Sequence, residues 1–150
     1  MTDDRAGLIE HHRAMHRELL DAIDGLSDEQ LLDPLLDGWS VRDHLVHLAM
    51  WDEIRASEVA RISAGYESVW RLTDEDDAIL NAIGHRSRAG TAIAQARWEL
   101  DTSHLRLIEA IAGATPRGLD ASLYGEARLR GQHGAEHASW IRRWRGELGW

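Results

Sequence analysis

Apolar positions recur along the chain mainly at a spacing of three and four residues, which is the spacing of one face of an α-helix. The chain has no sustained alternation of apolar and polar residues of the kind that marks a half-buried strand. Both prolines, Pro34 and Pro116, fall between the periodic segments, where they break no helix. The pattern therefore predicts an all-α protein.

The same pattern divides into four amphipathic helices. They are predicted over residues 4–24, residues 40–64, residues 74–112 (interrupted near Gly84 and Gly90 into pieces 74–83 and 87–112), and a last stretch that ends near Leu148. The start of this last helix stays open, because several glycines weaken the helical signal before it. Four such segments predict a four-helix bundle, although the long connectors over residues 26–38 and 65–73 leave its topology open.

Length, charge and cysteine content limit the classes of protein to which this chain can belong. A chain of 150 residues fits one domain over residues 1–150, and the absence of cysteine excludes thiolate ligands and disulfides. A net charge of −9 argues against nucleic acid as a partner. No apolar run is long enough to span a membrane, and the polar N-terminus lacks the features of a signal peptide, so a cytoplasmic location is expected.

Two histidines in the last helix give the strongest chemical signal. His133 and His137 are four residues apart and therefore lie one above the other on a helix face. The apolar stripe continues through Ile141 and Trp144, which predicts that this face turns inward. An inward pair of imidazoles needs partners, and a metal ion is a suitable one. Ordinary hydrogen bonds in the core are the alternative explanation.

The second helix supplies two further histidines, His44 and His47. Either of them could complete a three-histidine metal site that leaves a position open for water or substrate. Periodicity does not choose between them, because His44 falls nearer the centre of the inward stripe and His47 falls on its flank beside Trp51.

These residues resemble a known family. The run Trp39-Ser40-Val41-Arg42-Asp43, followed by His47-Leu48 and Trp51-Asp52, is similar to the helix-two signature of the DinB/YfiT-like superfamily. His133 and His137, followed by Trp140-Ile141, resemble its last-helix signature. Asp77, Asn81 and the segment over residues 98–111 resemble the third helix of members related to the ClbS/DfsB group.

The resemblance implies a four-helix bundle of the DinB/YfiT-like type and a divalent metal, nickel or zinc, on His47, His133 and His137. It favours His47 over His44 because His47 stands just before Leu48 in the matching motif. Family activities include hydrolases and enzymes that use a low-molecular-weight thiol such as mycothiol, among them the mycothiol-dependent maleylpyruvate isomerases. ClbS-like relatives protect cells against an electrophile. A shared fold does not fix the reaction.

Two functional hypotheses follow. One is a metal-dependent hydrolase or thiol transferase that acts on a small electrophile or thiol conjugate, with Trp51, Arg55 and Asn81 as candidate substrate contacts. The other is a bundle that binds or sequesters a small molecule, with the metal structural or absent. A homodimer that uses exposed tryptophans such as Trp150 is a further hypothesis. Most of the remaining histidines are expected at the surface or its boundary: His11, His12, His16, His85 and His104.

Overall fold

The computed structural model describes residues 4–150, and its regular structure in that range is entirely helical. The α-helices are α1 (Arg5–Ile23), α2 (Asp28–Leu32), α3 (Val41–Ser63), α4 (Asp74–Ser87), α5 (Ile93–Ala112) and α6 (His133–Glu147). Two short 3-10 helices, Arg117–Leu119 and Ala121–Leu123, lie between α5 and α6. The prediction of an all-α four-helix bundle is confirmed, with α1, α3, α5 and α6 as its long helices. Within the described residues, no helix combines the length and the apolar character that crossing a membrane requires.

The start of α3 is fixed by local hydrogen bonds. The backbone N–H of Asp43 donates to the Ser40 hydroxyl at 3.1 Å, and the backbone N–H of Ser40 donates to the Asp43 carboxylate at 3.0 Å. This reciprocal cap satisfies backbone donors that the first turn of a helix leaves free. Burial alone would raise the pKa of the Asp43 carboxyl, but the hydrogen bonds from Ser40 lower it. Helix α3 therefore begins at Val41, one residue after the predicted start at Ser40.

The predicted break in the third helix is shifted along the chain. We expected the first piece to end at Ile83, but α4 continues through Gly84 to Ser87, and α5 begins only at Ile93. Gly84 is buried, and a Cβ atom placed there would come within 2.6 Å of the Met50 sulfur. The glycine therefore allows α4 to pack closely on α3, and it does not interrupt the helix.

The core consists of two apolar clusters, one toward each end of the bundle. One joins the C-terminal half of α1 to the N-terminal halves of α3 and α5, for example through Leu19, Leu45 and Leu100. The other joins the opposite halves of the same helices, for example through Leu8 and Ile62. Therefore α1 runs antiparallel to α3, while α3 and α5 run parallel and are linked by the long connection that contains α4.

A buried carboxylate fixes the connector that follows α3. Glu58 is fully buried and accepts hydrogen bonds from Arg61 and from the Ser68 hydroxyl. Beyond Ser68, the carbonyl of Trp70 accepts a hydrogen bond from the backbone N–H of Glu126 at 2.7 Å. These contacts hold the segment that leads into α6 against α3, which is the region where the candidate site lies.

Candidate metal centre

Helices α3 and α6 present their histidines to each other. On α3, His44, His47, Trp51 and Arg55 follow one another at intervals of three and four residues, so they share one face. On α6, His133 and His137 occupy the first two turns. The face of α3 meets that of α6, because the rings of His47 and His133 have centroids 5.0 Å apart.

The three histidines that the sequence nominated as ligands converge. His47, His133 and His137 each offer one ring nitrogen, and these nitrogens all lie within 4.8 Å of one another. Nε2 of His47 lies 3.1 Å from Nε2 of His133. Three imidazole nitrogens so close together could hold one divalent ion and leave a coordination position open. We call these residues the histidine triad.

The surroundings keep the triad uncharged. Burial is the main cause that lowers the pKa of His47 to about 4, and positive groups nearby, such as Arg55, lower it further. Burial also lowers the pKa values of His133 and His137 well below their usual range. Near neutral pH each imidazole therefore keeps a free lone pair, and a metal ligand needs one. The donor set fits a divalent transition metal.

His44 lies behind the triad. Its side chain is 1% exposed, and its Nδ1 is 2.7 Å from Nδ1 of His137. The other ring nitrogen, Nε2, lies 3.0 Å from the Asp37 carboxylate. The structure thus places His47 among the converging histidines and places His44 in contact with Nδ1 of His137.

Arg55 is fully engaged within the protein. Its Nε donates to the Arg128 carbonyl at 3.1 Å, and its Nη1 donates to the Asp52 carboxylate at 3.0 Å. Its Nη2 is 3.3 Å from His133 Nδ1. The side chain is only 7% exposed. These partners hold the guanidinium in place, and its predicted contact with a substrate stays a prediction.

The contact of Arg55 with His133 shows which ring nitrogen of His133 carries the proton. A guanidinium has only donors, so Nδ1 of His133 accepts here. A metal on Nε2 requires the proton to be on Nδ1, where it would point at Arg55. The same contact therefore opposes metal binding at His133 unless the guanidinium turns away.

A cavity of about 200 Å³ opens beside His133. The cavity is lined by the three residues that we predict to contact a substrate, Trp51, Arg55 and Asn81. Trp51 Nε1 donates to Asn81 Oδ1 at 2.9 Å. The other lining residues are mostly polar or charged: Asp77, Glu126, Arg128, Gly131, Gln132 and Glu136.

Several of these residues were not predicted. Glu126 and Arg128 belong to the irregular segment before α6, where no periodic pattern could assign a side to them. Glu136 is exposed and also lines the cavity. The i, i+4 spacing of Asp77 and Asn81 was the one available signal for the opposite wall.

Two histidines expected at the surface are buried. His12 is 5% exposed and its Nε2 donates to the Leu129 carbonyl at 2.8 Å. His104 is 9% exposed, and its ring stacks on that of His16 with centroids 4.0 Å apart. His16 in turn lies 3.3 Å from the Asp101 carboxylate. The expected surface or boundary position does not hold for His12 and His104. His12 shares the buried face of α1 with Leu8, Met15 and Leu19, at the spacing of a helix.

Comparisons with known proteins agree with this architecture. A solved structure of an uncharacterised protein from Escherichia coli UTI89 superposes with a TM-score of 0.78, at 16% identity, over 97% of this chain and 94% of the other. Such identity shows the fold alone. No curated protein matches the chain. The sequence model of the DinB superfamily matches residues 9–144, which is nearly the whole chain. The protein therefore belongs to the DinB superfamily.

Proposed function

We propose that this protein is a metal-dependent enzyme that acts on a small electrophile or thiol conjugate. Its divalent metal, zinc or nickel, would be held by the histidine triad. The observation that carries the proposal is the convergence of three neutral imidazoles within 4.8 Å, beside a cavity that reaches His133. The cavity matters to the proposal because a metal site without access to a small molecule could only be structural.

The metal would supply Lewis acidity, which lowers the pKa of a water or thiol and so provides a nucleophile near neutral pH. The chain's own residues would do the rest. Burial keeps the three imidazoles unprotonated and available. The hydrogen bond between Trp51 and Asn81 fixes one wall of the cavity and turns the amide group of Asn81 toward Asp77. Hydrolysis and thiol transfer both need a nucleophile of this kind.

The lining of the cavity favours a polar small molecule. Asp77, Glu126 and Glu136 bring carboxylates to it, and Asn81 and Gln132 bring amides. The volume of about 200 Å³ would admit only part of a drug-sized molecule. We therefore propose that a substrate places its reactive end beside His133 and leaves the remainder near the mouth.

The proposal is tested on untagged protein, because an affinity tag of histidines would bind metal itself. Zinc- and nickel-loaded protein is assayed with p-nitrophenyl acetate for hydrolysis, and with 1-chloro-2,4-dinitrobenzene plus mycothiol or cysteine for thiol transfer. We expect one reaction to give many product molecules per protein and to fall at least about 100-fold in His133→Ala.

The matched control is His104→Ala, which removes a buried histidine outside the triad and should keep the activity. Equal rates in His133→Ala and the parent protein would contradict the proposal. Product that stops at one equivalent per protein would support the alternative, a bundle that captures a reactive molecule without turnover.

A further inference from the structure

Three side chains form a continuous path from the surface to the triad. Asp37 lies in the turn before α3, with its side chain 29% exposed. Its carboxylate is 3.0 Å from Nε2 of the buried His44, and Nδ1 of His44 is 2.7 Å from Nδ1 of His137. The path therefore ends at Nδ1 of His137, in the ring of one proposed metal ligand.

The distance between the two Nδ1 atoms requires a proton between them. Two nitrogens 2.7 Å apart form a hydrogen bond only if one donates and the other accepts. A histidine has one proton in its neutral form, so the choice made at His44 also fixes the choice at His137. The position of the proton on His44 thus decides which nitrogen of His137 is free.

The carboxylate of Asp37 favours a proton on Nε2 of His44. A lone pair on Nε2 of His44 would face the negative carboxylate, whereas a proton there is attracted to it. The angle at Nε2 falls short of a full hydrogen bond, so the attraction is mainly electrostatic. With its proton on Nε2, His44 must accept at Nδ1, and Nδ1 of His137 must donate. The lone pair of His137 then lies on Nε2.

The other neighbours of His44 do not reverse this assignment. Burial is the main influence on the ring and disfavours a second proton, and His85 disfavours it as well. Asp43 adds a second negative charge near the ring, which acts in the same sense as Asp37. The rings of Trp39 and Trp144 pack against His44 at centroid distances of 5.5 and 6.0 Å.

We propose that His44 is a positioning residue for the metal centre, which holds His137 with its proton on Nδ1 and its lone pair on Nε2. The inference rests on the proposed metal site. Groups that orient a ligand histidine in this way typically contribute about 10- to 100-fold to metal affinity. His44 would act through His137 and would not bind the metal.

The first test compares zinc affinities of the full-length protein by competition with a chelator. We expect His44→Leu to bind zinc about 10- to 100-fold more weakly than the parent protein. His104→Leu, which removes another buried histidine, should stay within about twofold. Parent protein that binds neither zinc nor nickel would refute the proposed function itself, whereas equal zinc affinity in His44→Leu and the parent protein would refute only the role of His44.

The second test needs no variant, so it decides the matter even if His44→Leu does not fold. Nitrogen-15 NMR of the zinc-loaded parent protein reports the state of each imidazole nitrogen. We expect His137 to carry a proton on Nδ1 and zinc on Nε2, and His44 to carry a proton on Nε2. Zinc on either nitrogen of His44, or on Nδ1 of His137, would overturn the inference.

Discussion

In the described residues 4–150, two groups of buried and half-buried histidines lie between helices, and one of them resembles a metal site. His47, His133 and His137 lie between α3 and α6, whereas His12, His16 and His104 lie between α1 and α5. Burial lowers the pKa of His12 and of His104 to about 4, as it does for His47. Burial and pKa therefore do not distinguish the two groups.

The partners of the ring nitrogens do distinguish them. In the group between α1 and α5, His12 faces a carbonyl and His16 faces a carboxylate, which are ordinary acceptors for an N–H. In the triad, nitrogen faces nitrogen, as at His47 and His133. Without a cation, so short a contact needs a proton on one of the two nitrogens, and a bound metal ion would take the place of that proton. Convergence of donors, and not a shifted pKa, is thus the feature that indicates metal binding.

Removing a triad ligand should give the largest contrast between the two groups. We expect His47→Ala to weaken zinc binding by more than about 100-fold, since loss of a ligand exceeds the loss caused by its supporting contacts. His12→Ala, in the other group, should change the affinity less than about twofold. Zinc titrations of both variants measure this. Similar losses in both variants would show that the two groups do not differ as described.

Replacing Arg55 should strengthen the site. The Arg55→Gln side chain offers an oxygen that could accept the proton on Nδ1 of His133, which metal binding at Nε2 requires. We expect zinc to bind about tenfold more tightly, because a hydrogen bond to a charged donor is worth about 1.5–3 kcal/mol and here it opposes the metal. Arg42→Gln, at an arginine paired with Asp43 outside the triad, is the matched control. Weaker binding in Arg55→Gln would contradict the assigned proton positions.

The histidines between α1 and α5 should make the free energy of unfolding depend on pH. The pKa of His12 is about 4 in the folded protein and lies below the ordinary value of about 6.5. The unfolded chain therefore binds a proton that the folded chain does not, and stability falls as the pH drops from 6.5 toward 4. His12→Leu should remove up to about 1.4 kcal/mol per pH unit from this slope.

Urea unfolding in zinc-free buffer at several pH values measures that slope. The zinc affinity of the same His12→Leu variant serves as the control and should match that of the parent protein. An unchanged pH dependence would mean that His12 is not held neutral by its surroundings.

The sequence predicts the histidines of α6 well, but it predicts the histidine of α3 less well. The spacing of His133 and His137, and of Ile141 beyond them, placed two candidate ligands on one inward face of a helix. Spacing could not choose between His44 and His47, because neighbouring positions on α3 both turn toward α6. The choice depends on the rotation of α3 against α6, which packing of the whole bundle sets.

The remainder of the site arises from contacts between distant parts of the chain. The carbonyl of Arg128 and the carboxylate of Asp52 hold the guanidinium of Arg55, which lines the cavity. The segment that carries Arg128 has no regular helix, and the backbone of Trp70 fixes the nearby Glu126. No local pattern encodes those pairings, so the cavity became visible only in three dimensions.

The most direct test of the account is a crystal structure of zinc-loaded protein with anomalous diffraction at the zinc edge. The account predicts one strong peak about 2.0–2.1 Å from a single ring nitrogen of each of His47, His133 and His137. Absence of that peak, or a peak between His16 and Asp101 in its place, would contradict the claim that the triad is the metal centre.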